Sequence, residues 1–305
     1  MYLPDVVHSF GHAMREKYGE KVHKLAINAA FTCPNRDGSK GVGGCSFCNN
    51  RSFSPNAKQP PPVNSQIGAG KQVVLKRTGA KKYLAYFQAY TNTYADIELL
   101  KHNYDRALGE KNIIGLSVGT RPDCVPNEVL GLLANYQQQG HEVWLELGLQ
   151  SAFDKSLQAV NRGHGFAEYR DAVKRARQYG LKVCTHLIVG LPGEIAADSL
   201  VSHQRVMDEG TDGLKLHPLH VVKGSLLAKQ WRRGEYRTLA FDDYIDVATE
   251  IIKQTPDEII FHRLTATASE TILLAPKWCA KKWRVLNAIH GRLQSEYAKQ
   301  GSALH

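Results

Sequence analysis

No apolar run among these 305 residues approaches the ~18–20 a membrane span needs, and residues 1–30 lack the pattern of a secretory leader. The expectation is therefore a cytoplasmic protein with no membrane partner. In that compartment the six cysteines read as reduced thiols rather than as a disulfide framework. Cys124, Cys184 and Cys279 stand singly and suit small buried apolar positions. Charge is lopsided: acidic residues number 29 against 39 Lys and Arg, giving a net charge of +10. Two runs hold part of that excess, Lys71, Lys76, Arg77, Lys81 and Lys82, then Lys277, Lys281, Lys282 and Arg284. A polyanion partner and a merely solvated basic surface account for them equally well.

The segment Cys33–Cys48 also lacks things. It reads C-P-N-R-D-G-S-K-G-V-G-G-C-S-F-C, with four glycines between the first two cysteines and Val42 its one apolar residue there. Such a stretch is a loop, not a helix or a central strand. Three thiols on one permissive loop, Cys33, Cys45 and Cys48, suit a soft metal site. No fourth cysteine or histidine follows at finger or ribbon spacing, so a closed tetrahedral zinc lacks a ligand. A 4Fe–4S cluster held by three cysteines would leave one iron open, as catalysis needs. Zinc or a structural thiol group remains the alternative from these residues alone.

Along the chain, residues 4–19 place Val6, Val7, Phe10, Met14 and Tyr18 at helical spacing. Residues 24–31 read as a strand ending just before Cys33. Residues 54–66, with Pro55 and Pro60 to Pro62, suit an extended connector, and 67–79 a helix weakened by Gly68 and Gly70. Apolar runs then recur at 83–89, 112–118, 142–149, 182–189 and 213–219, separated by helical stretches such as 127–139, 166–179 and 195–209. That rhythm is the βαβ unit, whose right-handed crossovers make one parallel sheet. The expected fold is α/β, a six-stranded partial (βα)6 TIM-like barrel. An N-terminal helical segment (1–22) precedes the core (23–225), and a C-terminal extension (226–305) packs on it. Residues 259–262 could add a short strand and 283–299 a closing helix.

Polar residues gather at the strand tips, where parallel barrels keep their chemistry. They include Gln88, Gly119-Thr120-Arg121-Pro122-Asp123, Glu146, Gln150, Gly190-Leu191-Pro192-Gly193-Glu194, Lys215, His217 and His220. Singly, each suits a turn, a cap or a satisfied core group; Asp123 and Glu194 suit helix starts.

The cysteine loop resembles the cluster loop of radical S-adenosylmethionine (SAM) enzymes, with a long first spacing like that of the Elongator catalytic subunit. G-L-Q-S at 148–151 followed by N-R-G-H at 161–164 resembles a stretch of that subunit and of oxygen-independent coproporphyrinogen oxidase. The resemblance implies a 4Fe–4S cluster on Cys33, Cys45 and Cys48, and SAM bound through Gln150 at its ribose and Arg162 at its methionine carboxylate. L-I-V-G-L-P-G-E at 187–194 resembles the strand lining the adenine side, which brings in Gly190 and Pro192. His186 stands where the porphyrin enzymes carry an aspartate, and Gly119 where they carry an acid, so Glu146 is a candidate substitute at the ribose. Gln88 joins the cofactor-binding candidates and, with Tyr86, the substrate side.

From about residue 5 onward, motifs such as Y-L-A-Y-F-Q-A-Y, V-G-T-R-P-D-C-V-P and K-L-H-P-L-H-V-V-K-G-S resemble YhcC/YtqA-type radical SAM proteins. That implies reductive cleavage of SAM to a 5′-deoxyadenosyl radical, with an electron donor such as flavodoxin or ferredoxin as partner. Lys215, His217 and His220 are the catalytic candidates, with His262 and Arg263 also on the substrate side. An acetyltransferase domain like Elongator's is not expected in this length. The favoured substrate is a structured RNA, above all tRNA, docked at the barrel's open end by both basic runs, with Tyr90, Tyr94 and Trp278 as stacking platforms. The alternatives are a small metabolite or porphyrin-like substrate, and a non-enzymatic iron–sulfur or zinc protein.

Overall fold

The computed structural model describes residues 3–49 and 59–304. The first half of the chain runs α1 (Leu3–Val6), α2 (Phe10–Tyr18), β1 (Val22–Ile27), α3 (Val63–Thr78), β2 (Lys82–Phe87), α4 (Ile97–Leu108), β3 (Ile113–Thr120), α5 (Asn127–Gln138) and β4 (Glu142–Gln150). Next come α6 (Asp154–Ala159), α7 (Phe166–Gln178), β5 (Lys182–Val189), α8 (Ala196–Glu209), β6 (Gly213–Pro218) and β7 (Val221–Val222). The last stretch holds α9 (Leu226–Arg232), α10 (Phe241–Lys253), β8 (Ile260–Arg263), β9 (Leu273–Ala275) and α11 (Lys282–Ser295).

Seven parallel strands pair in the order β1-β2-β3-β4-β5-β6-β8 and form a half-barrel; β7 and β9 make a small antiparallel pair beside it. The sequence periodicity locates six of these strands, and residues 259–262 do add a seventh. β4, E-V-W-L-E-L-G-L-Q, shows why the sheet is two-faced. Val143, Leu145, Leu147 and Leu149 turn outward into the main core beneath α5 and α7. Trp144, Glu146, Gly148 and Gln150 turn into the barrel, following the period-two alternation of a strand.

Three boundaries differ from expectation. The first helix is broken at Ser9, whose extended backbone (φ −84°) lets it cap α2 and bridge to Phe261. Phe261 N donates to His8 O at 2.9 Å, so this break stitches the N-terminal segment to the edge strand β8. β1 stops at Ile27, four residues early, and Asn28 to Phe31 already belong to the cysteine loop. Of the expected extended connector, residues 54–58 lie outside the described residues, and α3 begins at Val63, directly behind Pro62, instead of at 67. Proline's fixed φ suits the entry to a helix. Gly70 sits on that helix where an added Cβ would lie 3.4 Å from Leu25 Cδ2, so its small size lets α3 approach β1.

α2 closes the base of the barrel. Phe10 and Met14 pack on Leu84, Trp144 and Cys184 from the inner faces of β2, β4 and β5. Burial pushes the Cys184 thiol up to about 12, in keeping with an inert core cysteine.

Candidate functional site

Above that apolar plug lies a polar layer to which every strand of the sheet contributes one residue. Glu146 of β4, fully buried, is its centre. Lys24 of β1 donates to Glu146 Oε1 at 2.6 Å, and Lys215 of β6 and Ser117 of β3 also donate to the carboxylate. His186 of β5 meets Oε2 at 2.8 Å, and His262 of β8 lies 3.7 Å from Oε1. Tyr86 of β2 accepts from Lys215 at 3.0 Å. Lys24 also reaches His262 Nδ1 at 2.8 Å, spanning the seam between the edge strands β1 and β8. Burial works against the carboxylate's charge, yet Lys215 and Lys24 hold it well below the usual carboxylate range. Burial lowers Lys215 to about 7 and His186 to about 4, so the imidazole is neutral.

Above this layer, at the C-terminal ends of the strands, opens a cavity of about 240 Å³. Cys33, Cys45 and Cys48 form one wall. Gln88, Gln150, Arg162, His186, His217 and His220 line it from the strand tips and the loops beyond them. Among the described residues no three Cys, His, Asp or Glu side chains converge as the ligands of a single ion would. The cysteines share a wall instead.

The wall is fixed by its neighbours. Asn35, inside the loop, is wholly buried and donates to Asn161 O at 2.6 Å and Arg162 O at 2.8 Å. Ser46 N donates to Val160 O at 2.9 Å, and Leu227 N to Ser46 O at 2.8 Å. The glycines answer this crowding. A Cβ on Gly163 (φ +72°) would sit 2.3 Å from Asn35 Oδ1, and one on Gly148 2.8 Å from Arg162 Nη2. Arg121 forks onto Asp123 at 2.9 and 2.8 Å, and Lys40 pairs with the same carboxylate at 2.6 Å, tying the far side of the loop to the tip of β3. Asp123 stands in the first turn of a short 3-10 helix, Pro122–Cys124, and is an ion-pair anchor as well.

Among the described residues Arg162 is a buried cation without a carboxylate. Its Nη2 donates to Gly148 O at 2.6 Å, its Nη1 lies 3.6 Å from Cys45 Sγ, and its Nε has no partner among them. Gln150 beside it has φ +85°, an uncommon backbone for a residue with a side chain, as does Tyr90 at +66° on the cavity rim. Arg36 lies 6.0 Å over the Tyr90 ring and donates to Cys48 O at 3.3 Å. On the opposite side Arg263 meets His217 Nε2 at 2.8 Å.

Several expected residues stand elsewhere. Glu146 and Lys215 lie beneath the cavity, committed to each other. Gly190 and Pro192 are absent from its lining; Gly190 packs under Leu239, and its carbonyl accepts from Tyr236 at 2.8 Å. His220 lines the cavity and meets Ala266 O at 3.2 Å. Trp278 is no free platform: it packs 5.7 Å from Phe241 and 5.4 Å from Tyr244. Tyr94 lines an outer groove, which leaves Tyr90 at the mouth.

The first basic run is mostly at the wrong end. Lys82 starts β2 and pairs with Glu20 at 3.1 Å, and Lys71 reaches Glu110 and Lys111 O ahead of β3. Both positions are at the base. Sequence reading passes over Arg36 and Asn35, although both stand inside the C-P-N-R-D-G motif.

A barrel of this type with three cysteines at its mouth defines a class, and comparison with known proteins agrees. A family model described as the radical SAM superfamily matches residues 32–199, and one described as the radical SAM C-terminal domain matches 211–295. The chain belongs to the radical SAM superfamily. It is 50% identical over 304 residues to protein YhcC of Escherichia coli, covering all of this chain and 97% of that one. It is 35% identical to the uncharacterized protein YtqA of Bacillus subtilis, covering 96% and 91%. A tRNA uridine(34) acetyltransferase of Dehalococcoides mccartyi is 33% identical over 126 residues, 40% of this chain and 27% of that one. In fold, the chain superposes on the archaeal Elp3 of Methanocaldococcus infernus with a TM-score of 0.67 at 19% identity, covering 92% of this chain and 64% of Elp3. Membership makes the protein a radical SAM enzyme and implies a 4Fe–4S cluster and SAM. Among the described residues no helix is long and apolar enough to cross a membrane.

Proposed function

We propose that this radical SAM enzyme modifies RNA, above all tRNA, with the cluster on Cys33, Cys45 and Cys48 and SAM against Arg162 and Gln150. The observation that carries the cofactor reading is Arg162, a buried guanidinium beside the thiol wall whose Nε has no partner among the described residues. A buried cation lacking a carboxylate is costly unless a ligand supplies one, and its fork matches a carboxylate's two oxygens. Three soft donors on one wall of the cavity fit the cluster, and Gly148, where a Cβ would press on Arg162 Nη2 and Gln150 Nε2, leaves both of those side chains their place beside it. Held by Cys33, Cys45 and Cys48, with SAM against Arg162 and Gln150, the cluster would supply the one-electron chemistry that cleaves SAM reductively.

The chain's own residues bind, orient and exclude water. Asn35 and the glycines fix the wall, Arg162 and Gln150 orient the cofactor, and Tyr86, Gln88, His217 and His220 face the space left for substrate. His217 and His220 are neutral, since burial lowers both, the latter to about 4. They are suited to accept a hydrogen bond or a proton. Lys215 and Glu146 act from below as positioning residues, holding Tyr86.

The RNA reading draws on the likeness to the tRNA-acting relative, on Arg36 and Tyr90 at the rim, and on the second basic run. Mass spectrometry of nucleosides from tRNA of a strain lacking the gene is its test. One modified nucleoside should vanish or its precursor accumulate. An unchanged nucleoside profile would move the assignment to a small-molecule substrate.

A further inference from the structure

We propose that Arg263, braced by His217, anchors a phosphate group carried by the substrate; this rests on SAM occupying the Arg162 side of the cavity. Arg263 ends β8 and lines the cavity. Its Nη1 is 2.8 Å from His217 Nε2. Since guanidinium only donates, that histidine nitrogen is the acceptor and the ring is neutral. The brace fixes one nitrogen and leaves the remaining N–H donors for a ligand.

No carboxylate of the described residues pairs with Arg263. Glu146, the acid beneath the cavity, is already shared by Lys24 and Lys215. Arg263's charge is instead felt by a second cation: burial lowers Lys282 at the start of α11, and the positive charges of Arg263 and Arg77 lower it further. Lys282 has no acidic partner among the described residues either. A cation that lines the cavity without a counter-charge among the described residues suits an anion, and its guanidinium edge pairs two oxygens of a phosphate. The proposal identifies the recognised group and does not require the substrate to be a polymer.

Arginine labelling with phenylglyoxal, read by peptide mass spectrometry on the full chain carrying its cluster, tests this. SAM should protect Arg162, which tests the cofactor reading. With SAM present, uridine 5′-monophosphate should protect Arg263, whereas uridine or acetate at the same concentration should not. Arg263→Gln should weaken binding of uridine 5′-monophosphate about ten- to a hundredfold, the worth of a charge-assisted pair. Lys101→Gln, the same charge loss on the outer face of α4, should not. Equal labelling of Arg263 with and without the nucleotide, or protection by acetate as strong as by the nucleotide, would overturn the assignment. So would undiminished nucleotide affinity in Arg263→Gln. Because the labelling is read on the unsubstituted protein, it stands even if that variant does not fold.

Discussion

Two layers of the same barrel interior treat charge in opposite ways. In the lower one, Glu146 is met by Lys24, Lys215, Ser117 and His186, and few polar atoms are left over. In the upper one, a few ångströms along the same strands, Arg162 and Arg263 have no carboxylate among the described residues, and Arg162 Nε has no partner among them. A strand carries both: β4 brings Glu146 to the first layer and Gly148 and Gln150 to the second. The difference separates structure from function. A buried charge with full partners holds the fold, while one without partners is complete only when a ligand arrives.

The largest break in that comparison comes from the lower layer. Glu146→Gln should cost about 3–5 kcal/mol of stability, because it strands Lys24 and Lys215 in the barrel. Denaturant unfolding of the protein measures it. A loss below about 1 kcal/mol would mean that Lys215, already lowered to about 7, simply gives up its proton.

Acid should strain both layers at once. His186 and His220 are partly buried and neutral, each lowered from 6.5 to about 4 by desolvation, as is the buried His203 of α8. Their folded pKa values are depressed, so between about pH 6.5 and 4 the unfolded chain binds more protons. Stability from these groups is therefore intact above about 6.5, falls as pH drops through that window, and stops falling once the folded forms also protonate near 4. Thermal unfolding between pH 8 and 5 should show a nearly level midpoint that then declines. A flat profile down to pH 5 would contradict the burial of these rings.

The smallest effect should come from the base. Reversing Lys81 and Lys82 should leave tRNA binding nearly unchanged, while reversing Lys281 and Lys282, at the start of α11, should weaken it. The salt dependence should then also fall, by about 0.7–0.9 log units for each phosphate no longer neutralised. Gel-shift titration at several salt concentrations distinguishes the pairs. Equal weakening from both would return the base to the RNA path.

What the sequence made legible was local or periodic. The strand rhythm and the thiol loop depend on spacing along the chain, whereas Gln150 and Arg162 were reached through the resemblance of the motifs that carry them. The lower layer was not legible, because Lys24 and His262, 238 positions apart, meet only once the register of seven strands and the curvature of the sheet are set. Glu146 thus read as a cofactor contact rather than a keystone beneath one. Placing Lys82 at the mouth was an avoidable error: a residue leading into a parallel strand stands at its N-terminal end, the base. Arg36 and Asn35 were missed because a glycine-rich loop has no period from which to read which side chains turn inward.

The most direct test of the layered account is the stabilisation that SAM gives to cluster-loaded protein. At a hundredfold excess over its Kd, SAM should add about 2.7 kcal/mol to the folded state and raise the unfolding midpoint accordingly. Arg162→Ala, removing a charge-assisted pair, should weaken SAM about ten- to a hundredfold and so cut that stabilisation to about 0.4–1.4 kcal/mol at the same concentration. Its midpoint without SAM should stay close to the parent's, because Arg162 has no carboxylate partner among the described residues to strand. An undiminished SAM shift in Arg162→Ala, or a collapse of its stability without SAM, would contradict the account.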